Sequence, residues 1–123
     1  MHPKQLKEIE RVKAQSQQIA TGELVPDVVA FMRREIPELG EHLFLTSHIP
    51  EQGEEIYGFA TSNGLHIMVE VPWDGGKMSI SEIANNRSLL EFKQGNLSKD
   101  RTLNAIRYIL SELTAKGTID QNR

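Results

Sequence analysis

The chain contains no cysteine among its 123 residues. Disulfides, thiolate nucleophiles and cysteine metal ligands are therefore excluded, and a reducing cytoplasm is the expected location. Aromatic residues are scarce as well, at 6%, and no apolar run approaches the ~18 residues that a transmembrane helix needs. The N-terminal residues, Met-His-Pro-Lys-Gln-Leu-Lys-Glu, have no apolar core, so we expect no signal peptide.

A surplus of basic charge is also lacking. Lysine and arginine number 14 against 17 acidic residues, which gives a net charge of −3. Proteins that bind nucleic acid or anionic membranes through charge normally carry a basic excess, so this balance argues against both classes. The length predicts one domain, residues 1–123, which is large enough to bury a core without disulfides.

The most informative segment, residues 56–71, predicts a β-hairpin. Asn63 and Gly64 lie at its middle, and both residues tolerate the positive φ of a tight two-residue loop. In that register Ser62 pairs with Leu65, and side chains alternate between two sides. One side is then aliphatic or small (Ile56, Gly58, Ala60, Leu65, Ile67, Val69, Val71), and the other is aromatic and polar (Tyr57, Phe59, Thr61, His66, Met68, Glu70).

Further strands are predicted before and after the hairpin. Residues 42–49 form an alternating segment that we expect Pro50 to end, and its even positions share the aromatic and polar character of the second side. Residues 78–83 predict a fourth strand, although Ser79 and Glu82 also fit a helical capping box. Residues 88–93 predict the last strand.

Three helices complete the prediction. Periodic apolar residues favour a helix from Lys4 to about Ala20. A helix laid on the sheet edge is preferred over a short coiled coil that mediates self-association, because two heptads are fewer than the three or four that define one. Pro26 and Pro37 bracket a second helix. A third begins after a Ser98 cap, ends near Lys116 and carries an apolar stripe that we expect to pack on the aliphatic side. The fold class is therefore α+β: an antiparallel meander of four to five strands (about 42–94), flanked by two N-terminal helices (about 4–36) and one long C-terminal helix (about 98–116).

The sequence marks no catalytic or cofactor motif. It has no His-Glu-x-x-His, phosphate-binding loop or nucleophile elbow. His42 and His48, in one extended strand, would lie about 20 Å apart at ~3.3 Å per residue. We therefore expect no metal site, no cofactor and no catalytic residue.

The aromatic and polar side is the predicted working surface. Aromatic residues and methionine are enriched at the cores of protein interfaces. We therefore expect a small acidic, non-enzymatic protein-interaction module (an adaptor, an inhibitor, an immunity-type protein or a chaperone) that binds another protein or a second copy of itself. The predicted binding residues are Phe44, Thr46, His48, Tyr57, Phe59, His66 and Met68.

Three other interpretations of the same residues stay open. The N-terminal helices could simply cover this side as part of the core. A small-ligand or catalytic cup could use His48 or His66 as its acid–base group. An aromatic sheet could also stack single-stranded bases, although the acidic residues nearby disfavour that function.

Overall fold

The computed structural model describes residues 2–85 and 100–117 and confirms the α+β class. The helices are α1 (Pro3–Ala20), α2 (Pro26–Glu35) and α3 (Arg101–Ala115). The strands are β1 (Leu43–Glu51), β2 (Glu54–Thr61), β3 (Leu65–Pro72) and β4 (Ser79–Asn85). They form an antiparallel meander in the order β1-β2-β3-β4. The predicted strand at 88–93 and the predicted Ser98 cap lie outside the described residues.

Several predicted element boundaries differ from the structure by one or more residues, and the start of α3 and the end of β1 have a physical explanation. The N-cap of α3 is Asp100, whose carboxylate accepts a hydrogen bond of 3.0 Å from the Leu103 amide. Strand β1 does not end before Pro50 but continues to Glu51. Because β1 is an edge strand, a proline there need not remove a hydrogen bond from the sheet.

The turn between β2 and β3 contains three residues rather than the predicted two. The Gly64 amide donates to the Thr61 carbonyl at 3.1 Å, and Gly64 alone of the turn residues has positive φ, at 87°. Such a type I turn followed by a left-handed glycine is the common three-residue hairpin loop. The Asn63 side-chain Nδ2 donates to the Glu38 carbonyl at 2.7 Å, and the Asn63 side-chain oxygen accepts from the Thr61 hydroxyl. These bonds hold the turn against the α2–β1 loop.

The extra turn residue shifts the predicted register by one, so the predicted division of side chains is wrong. Phe59 pairs with Ile67 and Tyr57 with Val69, and each pair shares one side of the sheet. We call this the Phe59 side; it also carries Leu43, Leu45, His48, Leu65, Ile80 and Ile83. The opposite, Ala60 side carries Phe44, Ile49, Ile56, Gly58, His66, Met68 and Glu82.

Helix α2 packs on the Phe59 side. Its buried residues Val28 and Met32, with Ile36 just beyond its end, join a core cluster with Phe59 and the aliphatic residues of β3. Ile19 at the end of α1 belongs to the same cluster. The aromatic Phe59 is thus a core residue with no exposed surface.

Helices α1 and α3 pack together on the Ala60 side. Ile9 and Val12 of α1 meet Ile106 and Leu110 of α3, and this cluster includes Phe44 and Ala60 of the sheet. The Ser16 hydroxyl donates to the Leu43 carbonyl at 2.7 Å and so ties α1 to β1. The predicted stripe of α3 is confirmed as apolar and buried, but much of its partner surface is α1 rather than the sheet.

Polar contacts also join α1 to α3. The Glu8 carboxylate accepts from Arg11 at 2.5 Å and from the Thr102 hydroxyl at 3.0 Å. The Arg11 hydrogen bond is the largest of the effects that hold the pKa of Glu8 below its usual value, although partial burial opposes it. The ionised carboxylate is therefore the form that the fold favours.

The Leu110→Ala variant should lose about 2–5 kcal/mol of unfolding free energy, as truncations of buried leucines do. Leu110 has no exposed surface, whereas Leu6, on α1, is 48% exposed. Leu6→Ala is the matched control and should change stability by less than about 1 kcal/mol. Urea denaturation measures both, and equal losses would contradict this description of the core.

The Glu8→Gln variant should be less stable than the wild type at neutral pH and equally stable in acid. A lowered carboxyl pKa stabilises the fold above the usual glutamate value of about 4.3, and this contribution disappears as the pH falls through the lowered pKa. Urea melts across an acid pH series measure the difference. A difference of the same size at every pH would show that ionisation of Glu8 contributes nothing.

Candidate functional site

The structure divides the seven predicted binding residues between the two sides of the sheet. His48, Tyr57 and Phe59 lie on the Phe59 side, whereas Phe44, Thr46, His66 and Met68 lie on the Ala60 side. Phe44 and Phe59 are buried in separate core clusters. The seven residues therefore do not form one continuous surface.

His48 and Tyr57 make an accessible pair at the β1 edge of the Phe59 side. Their rings stack with centroids 4.4 Å apart, and the His48 Nε2 lies 2.7 Å from a Glu55 carboxylate oxygen. Burial, followed by the negative charge of Glu55, raises the pKa of the Tyr57 hydroxyl. Packing and an exposed hydrogen bond account for these contacts, and neither ring lines the cleft described below.

The residues on the Ala60 side surround a β-bulge. Thr46 is the extra residue of β1, between Leu45 and Ser47, and its hydroxyl lies 3.1 Å from the His66 Nε2. The bulge turns the Thr46 and Ser47 hydroxyls toward Gly58, where an added Cβ would lie 2.7 and 2.5 Å from them. The small residue at position 58 is thus explained by the bulge and not by the close approach of a helix.

A cleft on the Phe59 side is the surface that the sequence analysis missed. It has a volume of about 820 Å³ and lies between α2 and the chain that enters β4. One wall is the α2 face with Asp27, Ala30, Phe31, Arg34 and Glu35; the other is formed by Gly76, Lys77, Met78, Ser79 and Ile80.

The cleft exists because one helix cannot cover four strands. Strands lie about 4.8 Å apart, so four strands span roughly 14 Å, whereas a helix with its side chains is about 10 Å across. Helix α2 packs against the buried residues of β2 and β3, whereas β4 is covered only in part. Ile80 is half-buried and Ile83, on the same side, is 50% exposed.

Charged residues flank the apolar surface of the cleft. Asp27 lies in the first turn of α2 and Arg34 in its last, where each complements the helix dipole. The Arg34 guanidinium lies 5.7 Å from the centre of the Phe31 ring, and Lys77 stands on the opposite wall. An apolar surface with a mixed-charge rim is the usual composition of a protein-binding surface.

The described part of the chain contains neither a candidate metal site nor a membrane-spanning helix. Within residues 2–85 and 100–117, no group of three or more histidine, aspartate or glutamate side chains is placed to hold a metal ion. No described helix has the length and apolar character needed to cross a bilayer.

Comparisons with known proteins found no relative: no family model, curated protein or solved structure matches the chain. The interpretation of the site therefore depends on its residues and their contacts.

The Gly58→Ala variant should be destabilised by about 1–3 kcal/mol, as overpacked sites are, and removing the crowding hydroxyl should restore part of the loss. A double-mutant cycle with Ser47→Ala measures this coupling through urea melts. The cost of Gly58→Ala should be smaller in the Ser47→Ala background. Additive effects would show that the hydroxyl does not restrict position 58.

Proposed function

We propose that this chain is a small, non-enzymatic protein-interaction module and that its docking surface is the α2–β4 cleft. One observation carries the proposal: on the Phe59 side of β4, Ile83 is 50% exposed, and the nearby Ile80 and Met78 are only partly buried against the core. Apolar surface of this kind gains free energy when a partner covers it, by roughly 25 cal/mol for each Å² removed from water.

The shape of the cleft favours a protein surface over a small molecule. Small ligands are usually held in concave pockets that bury most of their surface, whereas this cleft is an open trough between a helix and a strand. Its walls offer Phe31 and Met78, residue types that are enriched at the centres of protein interfaces. A partner side chain or helix would fill the place that a second covering helix occupies in a complete layer.

The accessible residues of the original prediction retain a secondary role in this proposal. His48 and Tyr57 lie on the same side as the cleft but at the opposite edge, on β1 and β2. Their contribution to binding stays a prediction. Phe44 and Phe59 contribute through the core, because both are buried.

Substitution of Ile83 tests the proposal. Ile83→Lys places a charge on the same side of β4 as Ile80, which lines the cleft. It should abolish retention of a partner from native extract, with little loss of stability because half of the side chain is already exposed. Leu6→Lys is the control, since Leu6 is similarly exposed, at 48%, but lies on α1.

The expected result is retention by the wild type and by Leu6→Lys and loss with Ile83→Lys, measured by affinity capture with melting temperatures in parallel. Equal retention by both variants would overturn the assignment to the cleft. A wild-type protein that retains nothing and does not self-associate would overturn the proposed function.

A further inference from the structure

We infer that the partner in the cleft is a second copy of this chain, docked so that the two α2 helices lie antiparallel between the two sheets. The inference rests on the proposed function and names its partner. It is carried by the arrangement of charge and apolar surface on the exposed face of α2.

That face is self-complementary under a two-fold axis. Asp27, Ala30, Phe31 and Arg34 follow one another at helical spacing and share a wall of the cleft. An axis that passes between positions 30 and 31 sets Asp27 of each helix opposite Arg34 of the other. In a two-fold interface each such contact occurs twice.

The charges at both ends are available for this pairing. Within residues 2–85 and 100–117, no ion pair includes Asp27, and the one ion pair of Arg34 is a 3.5 Å contact with its neighbour Glu35, beside its contact with the Phe31 ring. Between them, Ala30 is small and exposed, so it would let two helices approach to the 8–10 Å typical of packed pairs. Antiparallel helices also oppose their dipoles favourably.

The same arrangement also places a second helix over each sheet. If two copies face each other, the α2 helix of one lies over β4 of the other, and one layer of two helices separates two sheets. Two helices about 10 Å wide are enough for a sheet of roughly 14 Å. The half-exposed Ile83 and the partly buried Ile80 then lie beneath the helix of the other copy.

Pairing through the sheet edges is a poorer route to self-association. Among the described strands, the two at the ends of the order each contain a bulge, at Thr46 in β1 and at Ser81 in β4, and β1 also contains Pro50. Bulges and prolines are devices that disfavour strand-to-strand addition at an edge. The cleft is therefore the surface that carries the inference.

Charge reversal on the full chain tests it. Asp27→Arg and Arg34→Asp, made singly, place like charges opposite each other across the axis. Each should raise the dimer dissociation constant at least about tenfold, which corresponds to about 1.4 kcal/mol. The double variant restores opposite charges and should return the constant to within a few-fold of the wild type. Sedimentation equilibrium over a micromolar to millimolar series measures the constants.

Controls separate the interface from effects within one chain. Glu10→Arg and Lys7→Asp make the same charge changes at exposed positions of α1 and should leave the constant unchanged. If the variants acted only through the helix dipole, the double variant would have the largest dissociation constant, because its charges oppose the dipole at both ends of α2. A dissociation constant that returns toward the wild-type value in the double variant is therefore specific to pairing across the axis.

A monomer at every concentration, or a double variant that does not recover, would overturn the inference. If the chain is monomeric and still retains another protein in a manner that depends on Ile83, self-association is overturned and the proposed function stands. If it dimerises with the predicted charge dependence, both are supported.

Discussion

The turn at residues 62–64 is the constraint on which the remaining structure depends. Side chains on a strand alternate between two sides, so one residue more or less in a hairpin loop exchanges the complete set of core residues of one strand. Here the Asn63 bond to the Glu38 carbonyl, the Gly64 bond to the Thr61 carbonyl and the Leu65 bond to the Thr61 hydroxyl select the three-residue loop. Phe59 consequently lies with Ile67 and Val69 in one core cluster.

The two sides of the sheet are covered by different numbers of helices. On the Ala60 side, α1 and α3 first pack on each other and then on Phe44 and Ala60. On the Phe59 side α2 covers the central strands together with the end of α1 and partly buried residues next to α2, among them Leu24 and Leu39. A helix is narrower than four strands, so the second arrangement leaves apolar surface on β4. That difference, more than any single residue, is why the cleft exists and why we propose it as a docking surface.

The sequence predicted the elements well and their arrangement less well. The apolar stripe of α3, the prolines around α2 and the alternation in β4 are local patterns, and each led to an element that the structure contains. The working surface was predicted from the hairpin register, which Asn63-Gly64 did not specify, because that dipeptide fits both two- and three-residue loops. Phe31 and Ile83 were missed because exposure depends on the width of the sheet and the number of helices above it, which no local pattern contains.

By itself the sequence determined the absence of thiol chemistry, the α+β class and the order of helices and strands, because composition and hydrophobic period are properties of neighbouring residues. Only the tertiary structure decided which residues share a side, because the bonds of Asn63 to the α2–β1 loop bring together residues 25 positions apart in the chain. It also decided where apolar surface stays uncovered, since that is set by how far α2 reaches across the sheet.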